Sequence, residues 1–291
     1  METFLQLVLN GLMLGGLFAI ISVGLTLIFG IIRLVNFAHG ELLMAGMYLT
    51  WLGTTRLGLH PYVLAPPLVL VLFVIGVAVQ RFILQPLLEA RDAHVQIFAT
   101  VGLSTALINL ALLLFGADLY ATPAAHVRDP ITFGPFRIIL GQLVMFLAGI
   151  AVVAALHLFM ERSFLGRAIR ATAQHRAAAQ LMGVDVNRIY MVTFGIGAGC
   201  VGLAAALVAP VYPTSPTVGT YFVLTAFVVV VLGGRGSLHG AFIGALLIGL
   251  VDSLSGYYIA PDLKEVVIFG LFILILLLRP TGLFGLGRGS E

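Results

Sequence analysis

Residues 4–32 read FLQLVLNGLMLGGLFAIISVGLTLIFGII, a run without a single charge. A helix needs about 20 apolar residues to cross the hydrocarbon core of a bilayer, and this run exceeds that. A cleavable leader begins with a basic region and holds an apolar core of about 7–15 residues, whereas the first basic residue here is Arg33. The run is expected to stay in the protein as a membrane span.

The rest of the chain has the same character. Of 291 residues, 60% are hydrophobic and 9% are charged, against roughly 25% charged in soluble domains. A soluble fold of this size could not hide so much apolar surface, but lipid solvates it. Further runs at 40–56, 62–84, 95–115, 138–160, 189–210, 221–234, 239–258 and 265–279 bring the expected spans to nine. Two of them, 40–56 and 221–234, are short for a bilayer and adjoin polar or glycine-rich breaks, so half-helices or re-entrant segments are expected there. The fold class is therefore an all-α integral membrane protein, a polytopic helix bundle with about 8–10 transmembrane segments, some broken or re-entrant. Residues 1–291 read as one transmembrane domain.

Charge placement orients the bundle. Fourteen of the fifteen basic residues are arginine, and the only lysine is Lys264. They sit in short gaps between apolar runs, which is no nucleic-acid footprint. Segment 161–188 carries Arg162, Arg167, Arg170, Arg176 and Arg188 and is expected in the cytoplasm by the positive-inside rule. Segment 117–137 balances Asp118 and Asp129 against Arg128 and Arg137 and can face outward. Counting spans then puts 85–94 and the tail with Arg279 and Arg288 inside, and the N-terminus outside. The outer loop Pro210–Pro216, with three prolines, reads as a rigid connection. Cys200, the single cysteine, excludes an intramolecular disulfide and reads as a packed thiol.

Three motifs stand out. In Leu34-Val-Asn-Phe-Ala-His-Gly-Glu-Leu42, the polar Asn36, His39 and Glu41 lie between apolar runs. They form either a broken helix lining a solute pathway or a short inner loop bathed in headgroup water. In Leu232-Gly-Gly-Arg-Gly-Ser-Leu-His-Gly-Ala241, the glycines Gly233, Gly234 and Gly236 break the helix. Their freed amides and carbonyls could meet a polar solute, beside Ser237 and His239, at the inner mouth of a pathway. A spacing of two does not put Ser237 and His239 on one helix face, so hydrolase chemistry is not expected. Asp252 is an isolated carboxylate within a span that either lines the route or pairs with a cation. Gly195–Gly199 and the Gly240/Gly244 pair read as helix-packing features.

The third motif is the alanine-rich segment 163–183, expected to be a helix with Leu165, Ile169 and Thr172 on one face, Arg167, Arg170 and Gln174 turned away, and Gly183 as its stop. It could dock a cytoplasmic partner or lie on anionic membrane lipid; composition alone favours lipid. No Gly-x-x-x-x-Gly-Lys loop occurs, and no cofactor, metal cluster or catalytic residue is expected.

Together these marks resemble the permease subunits of branched-chain amino acid ABC importers, of the LivH type. The resemblance runs over nearly the whole chain. It is carried by Leu34–Leu42, by Gly166-Arg-Ala-Ile-Arg through Met182-Gly-Val, by Val231-Leu-Gly-Gly-x-Gly-Ser237 and by Leu278-Arg-Pro-Thr-Gly-Leu-Phe-Gly285. Arg235 departs from the pattern, in which a smaller or apolar residue stands. The resemblance implies a second, LivM-type permease, two cytoplasmic ATP-binding subunits and a periplasmic solute-binding protein as partners, in a bacterial inner membrane. It also implies that Gly166, Arg167, Arg170, Ala177, Met182, Gly183 and Val184 belong to a coupling element that meets the ATPase, which overrides the lipid reading. An ion-coupled secondary transporter using His39, Glu41 and Asp252 is the alternative; a membrane-embedded enzyme and a passive channel fit less well.

Overall fold

The structure, a computed structural model, describes residues 1–32, 36–88, 93–234 and 236–284. Of the residues singled out above, Arg33, Leu34, Val35, Arg235, Gly285 and Arg288 lie outside them. Nine long helices fall on the nine expected spans: α1 (Glu2–Ile32), α2 (His39–Leu57), α3 (Ala65–Val79), α5 (Ala93–Phe115), α6 (Leu140–Arg162), α9 (Val186–Val208), α10 (Val218–Gly233), α11 (Leu238–Tyr258) and α12 (Lys264–Leu278). A π-helical turn, Gln80–Leu84, and the short α4 (Gln85–Leu88) prolong α3. Helices α7 (Phe164–Gln174) and α8 (Arg176–Leu181) follow α6, and a hairpin of β1 (Pro130–Phe133) and β2 (Phe136–Ile139) precedes it. Six helices have the length and apolarity to cross a membrane; α10 is apolar but has only 16 residues.

Helix α1 is the axis. It packs against α6, α9, α10 and α11, and its side chains from Leu17 to Ile28 are all buried. The contacts are made through glycines. A methyl group at Gly11 or Gly15 would strike the backbone of α11, one at Gly16 the Cα of Phe146 in α6, and one at Gly24 the carbonyl of Gly197 in α9. Lipid supplies no hydrophobic drive for helices to associate, so close approach through small residues is what holds such a bundle together. Gly195–Gly199 packs as expected, with Gly195 on Phe73 and Val77 of α3 and Gly197 on Ile28. Cys200 is buried against Gly24.

The two ends of the bundle are distinct. Gln6 exchanges two hydrogen bonds with the backbone of Arg137 in β2, at 2.7 and 2.9 Å. The start of α1 and the hairpin therefore share one end. Arg128 joins it by donating from Nε to the carbonyl of Pro210 at 2.8 Å. At the opposite end, α6 runs into α7, Gly30 touches Gly236, and Gln85 of α4 donates to Asn187 Oδ1 at 2.7 Å.

Both short spans begin deep in the bundle. His39 opens α2, yet its ring nitrogen Nε2 lies 3.3 Å from the carbonyl of Ile21. Ile21 is eleven residues before the end of α1, about 16 Å of helix. Helix α10 starts at the same depth, for Gly219 and Gly40 meet backbone to backbone, with no room for a Cβ on either. Segment 209–217 must therefore dip inward. Ala209, Pro210, Thr214 and Pro216 are buried, and Thr214 pairs with Tyr120 through two backbone hydrogen bonds of 2.9 Å. This corrects the expected rigid loop on the outer surface. Prolines suit the descent because each removes an N–H that would need a partner away from water.

The segment 163–183 is not one helix. His175 is extended (φ −147°, ψ 93°) and separates α7 from α8. Ser163 caps α7 by accepting from the Gly166 amide at 2.8 Å, and Gly183 (φ +83°) ends α8. Ile169 and Thr172 are buried as expected, but Leu165 is exposed because it lies in the first turn, beyond the edge of the bundle.

The glycine contacts yield a direct test. Gly249→Val, whose side chain would meet the backbone of Gly11 and Gly15, is expected to lower the melting temperature in detergent by 10 °C or more, in line with overpacking costs of about 1–3 kcal/mol or above. Gly102→Ala, which meets open space, is expected to leave it unchanged. Fluorescence-detected thermal unfolding of the purified protein reads both.

Candidate functional site

The nine sequence-derived pathway residues fall into three separate places. The first is the turn between α1 and α2, where Asn36, His39 and Glu41 are 2%, 0% and 1% exposed. Such burial excludes headgroup water as their solvent. Asn36 organises the turn: its Oδ1 accepts from the Ala38 amide at 3.1 Å and its carbonyl from the His39 amide at 3.4 Å. His39 donates through Nε2 to the Ile21 carbonyl, which fixes the tautomer and leaves Nδ1 as an acceptor. Glu41 stands in the first turn of α2, where the helix dipole favours an acid. Its side chain lies near the hydroxyls of Ser104 in α5 and Thr220 in α10. Even so, Asn36 Nδ2, His39 Nδ1 and Glu41 Oε2 have no partner among the described residues. Polar groups at membrane depth cost roughly 2.5–3.5 kcal/mol each when charged on insertion scales.

The second place is the glycine break, at the α7 end of the bundle. Gly233 packs on Gly240, while Gly234 (φ +96°) and Gly236 (φ +76°) take backbone conformations that favour glycine. The carbonyls freed here are already used. Leu232 accepts from the Leu283 amide at 2.8 Å, and Gly233 from the Phe284 amide at 3.3 Å. Ser237 is the N-cap of α11, accepting from the Gly240 amide at 3.0 Å. His239 is exposed, with its ring 4.4 Å from that of His157. The Leu232 and Gly233 carbonyls and the Ser237 hydroxyl are thus engaged within the chain itself.

The third place is Asp252, toward the other end. It is 6% exposed and is followed directly by Ser253, whose hydroxyl donates to the Leu7 carbonyl at 2.8 Å. Tyr221 donates to Asp252 Oδ2 at 3.1 Å. Lys264 Nζ approaches Oδ1 at 3.6 Å and the Tyr221 hydroxyl at 3.3 Å, and lies 5.2 Å above the Tyr221 ring. The only lysine of the chain thus pairs with the one buried aspartate among the described residues.

A feature the sequence reading missed joins the first place to the third. Between α10 and α12 lies a cavity of about 200 Å³, lined by Thr220, Tyr221, Thr225 and Glu265 on its polar side. A second, of about 100 Å³, is walled by Asn36, Phe37, Phe227 and Phe272. Leu224 and Phe269 line both, so the two cavities adjoin along the groove between α10 and α12. Glu265, a carboxylate one residue inside an apolar helix, was the signal in the sequence. Among the described residues, no group of three or more His, Cys, Asp or Glu could hold a metal ion.

The residues expected to meet an ATPase cluster at the α7 end. Gly166 is buried against Phe159 and Met160, while Arg167, Arg170, Ala177, Met182 and Gly183 are exposed. Val184 is half-buried, and its amide donates to the Ala179 carbonyl at 3.0 Å.

A helical membrane bundle with two helices that begin in mid-bundle, a polar groove beside them and an arginine-bearing helix pair at one end defines a multi-pass transport protein. Its lineage follows from comparison. Residues 7–276 match the family described as branched-chain amino acid transport system, permease component, and the chain belongs to that family. It is 34% identical to the high-affinity branched-chain amino acid transport system permease protein BraD of Pseudomonas aeruginosa, over 97% of this chain and 96% of the relative. It is 33% identical to the LivH protein of Escherichia coli, with the same coverage. The ribose import permease protein RbsC of Escherichia coli is 30% identical over 53% of this chain and 54% of its own. No solved structure matches. The protein is a multi-pass protein of the bacterial inner membrane.

The Asp252–Lys264 pair is testable. Lys264→Met leaves a buried carboxylate unpaired and is expected to destabilise the protein by about 3 kcal/mol, seen as a loss of folded yield in detergent. Asp252→Asn in the same chain is expected to restore most of that yield. Equal yields of Lys264→Met and wild type would show the pair to be unimportant.

Proposed function

We propose that this chain is a permease subunit of an ABC importer that moves branched-chain or related amino acids across the inner membrane. It has no ATPase site of its own; two cytoplasmic ATP-binding subunits supply the energy. A LivM-type permease completes the pathway, and a periplasmic solute-binding protein delivers the solute. Residues 1–291 act as one transmembrane permease domain, with 161–188 as its coupling loop.

The observation that carries this reading is the state of α7 and α8. Ile169 and Thr172 are buried at 0% and 3%, anchoring α7 to α1, α6 and α9. Its other face is bare: Arg167 and Arg170 are exposed, and Leu181 and Met182 are 88% and 84% exposed. A helix pair fixed to the bundle on one side, with cations around an apolar tip on the other, suits a groove on a partner protein. Movement of α7 passes to α1, on which both the His39 contact and the Gly236 contact rest. ATP-driven closure of the partner would then tilt the bundle, and the nucleotide must favour one state by a few kcal/mol for the cycle to run.

Arg170→Glu is expected to cut ATP-dependent leucine uptake at least 10-fold in proteoliposomes holding the full assembly, and to abolish stimulation of the ATPase by loaded binding protein. Membrane insertion should be normal. Wild-type uptake and stimulation in that variant would reject the docking role. Uptake that persists without the ATP-binding subunits and collapses with the proton gradient would instead favour an ion-coupled transporter.

A further inference from the structure

We infer that the α10–α12 groove is a solute-recognition surface for a zwitterionic amino acid with an apolar side chain, with Glu265 as the ammonium handle and Asn36 Nδ2 as the carboxylate handle. This deepens the proposed function and rests on it.

The chemistry of the two ends is complementary. Glu265 lines the polar end, is exposed, and makes no ion pair among the described residues. Its neighbour Lys264 is engaged by Asp252 and Tyr221. The groove therefore presents an acceptor without a cation, which is what an ammonium group seeks. The other end is lined by Asn36, 2% exposed. Its Oδ1 is committed to the Ala38 amide, but its Nδ2 is buried without a partner among the described residues. A buried amide N–H₂ with no acceptor is a costly arrangement that a carboxylate relieves. Between the ends the wall is apolar: Leu224 and Phe269 are common to both cavities, and Phe227 and Phe272 close the deeper one. An aliphatic side chain fits such a wall, whereas a charged or sugar-like solute would leave its polar groups unmatched.

Direction also fits. Helix α12 begins at Lys264, beside Asp252, and ends near the glycine break, where Leu283 bonds Leu232. The groove thus descends from the hairpin end toward mid-bundle, where Asn36 sits. A solute would meet Glu265 first and Asn36 deeper. Glu41, although near, stands behind Thr220 at 1% exposure and is not reached from the groove.

The test uses the complete assembly in proteoliposomes, with leucine and alanine as probes. Glu265→Gln removes the acceptor charge. Asn36→Asp keeps an oxygen that accepts from the Ala38 amide but replaces the donor with an acceptor. Each is expected to reduce leucine uptake at least 10-fold, with all subunits still co-purifying. The surface variant Asp118→Asn should transport as wild type. Phe272→Ala is expected to lower leucine uptake relative to alanine at least 5-fold. Leucine uptake within 2-fold of wild type in both Glu265→Gln and Asn36→Asp overturns the proposal. If those two fail to assemble, the Phe272→Ala ratio decides: a shift supports the site, and an unchanged ratio overturns it. Absence of ATP-dependent uptake by the wild-type assembly would instead remove the proposed function, and this site with it.

Discussion

The contact on which everything else depends is the glycine-to-backbone packing around α1. Inside a bilayer, apolar side chains gain nothing by leaving lipid for protein, so shape must do what hydrophobicity does in water. Helix α1 supplies that shape with Gly11, Gly15, Gly16, Gly24 and Gly30, directed at three helices and the glycine break. The most apolar stretch of α1 is 83% buried, against 11% for α5 and 17% for α6. Hydropathy ranks these helices alike. What distinguishes the axis from the periphery is the distribution of missing side chains.

That close packing makes room for an unusual feature at the centre. Two helix starts, at His39 and Val218, meet through Gly40 and Gly219. First-turn amides lack helical partners, so interrupted helices concentrate polar backbone where lipid cannot solvate it. The sequence answers with short polar side chains. Asn36 closes its own turn, and Glu41 stands near hydroxyls on two neighbouring helices. Three side-chain atoms remain unmatched within the described chain. A static membrane protein would be expected to replace such residues with apolar ones. Their presence is better explained by a surface that serves another molecule.

How much of this could be read from the sequence follows from the range of each interaction. The spans were legible because bilayer thickness sets helix length directly. The stop at Gly183 was legible for a similar reason, whereas Ser163 and Ser237, which also act within three residues of where they stand, were not read as caps. The depth of α2 was not, since nothing near His39 reveals that its partner is the Ile21 carbonyl eighteen residues earlier. Lys264 and Asp252 are a pair only because a hairpin of helices returns α12 to α11. Segments 36–40 and 236–240 both end in His-Gly, but the structure separates the histidines: His39 is buried and His239 exposed. The kink at His175 had no local signal, for the flanking alanines favour helix on both sides.

The attachment of α12 connects packing to motion. One end is pinned by Lys264 to Asp252 and Tyr221, and the other by backbone bonds from Leu283 and Phe284 to Leu232 and Gly233. Between those anchors Ile268 is its one fully buried residue, and α12 has few contacts with the bundle beyond α10 and α11. A helix held at its ends and loosely packed along its length can bow outward without losing either anchor. The groove between α10 and α12 therefore lies beside the loosely packed helix, while α1 is locked on three sides by glycine contacts. A stiff axis and a compliant wall, set by where the chain places glycine and where it does not, are the mechanical requirements of a pathway that opens and closes.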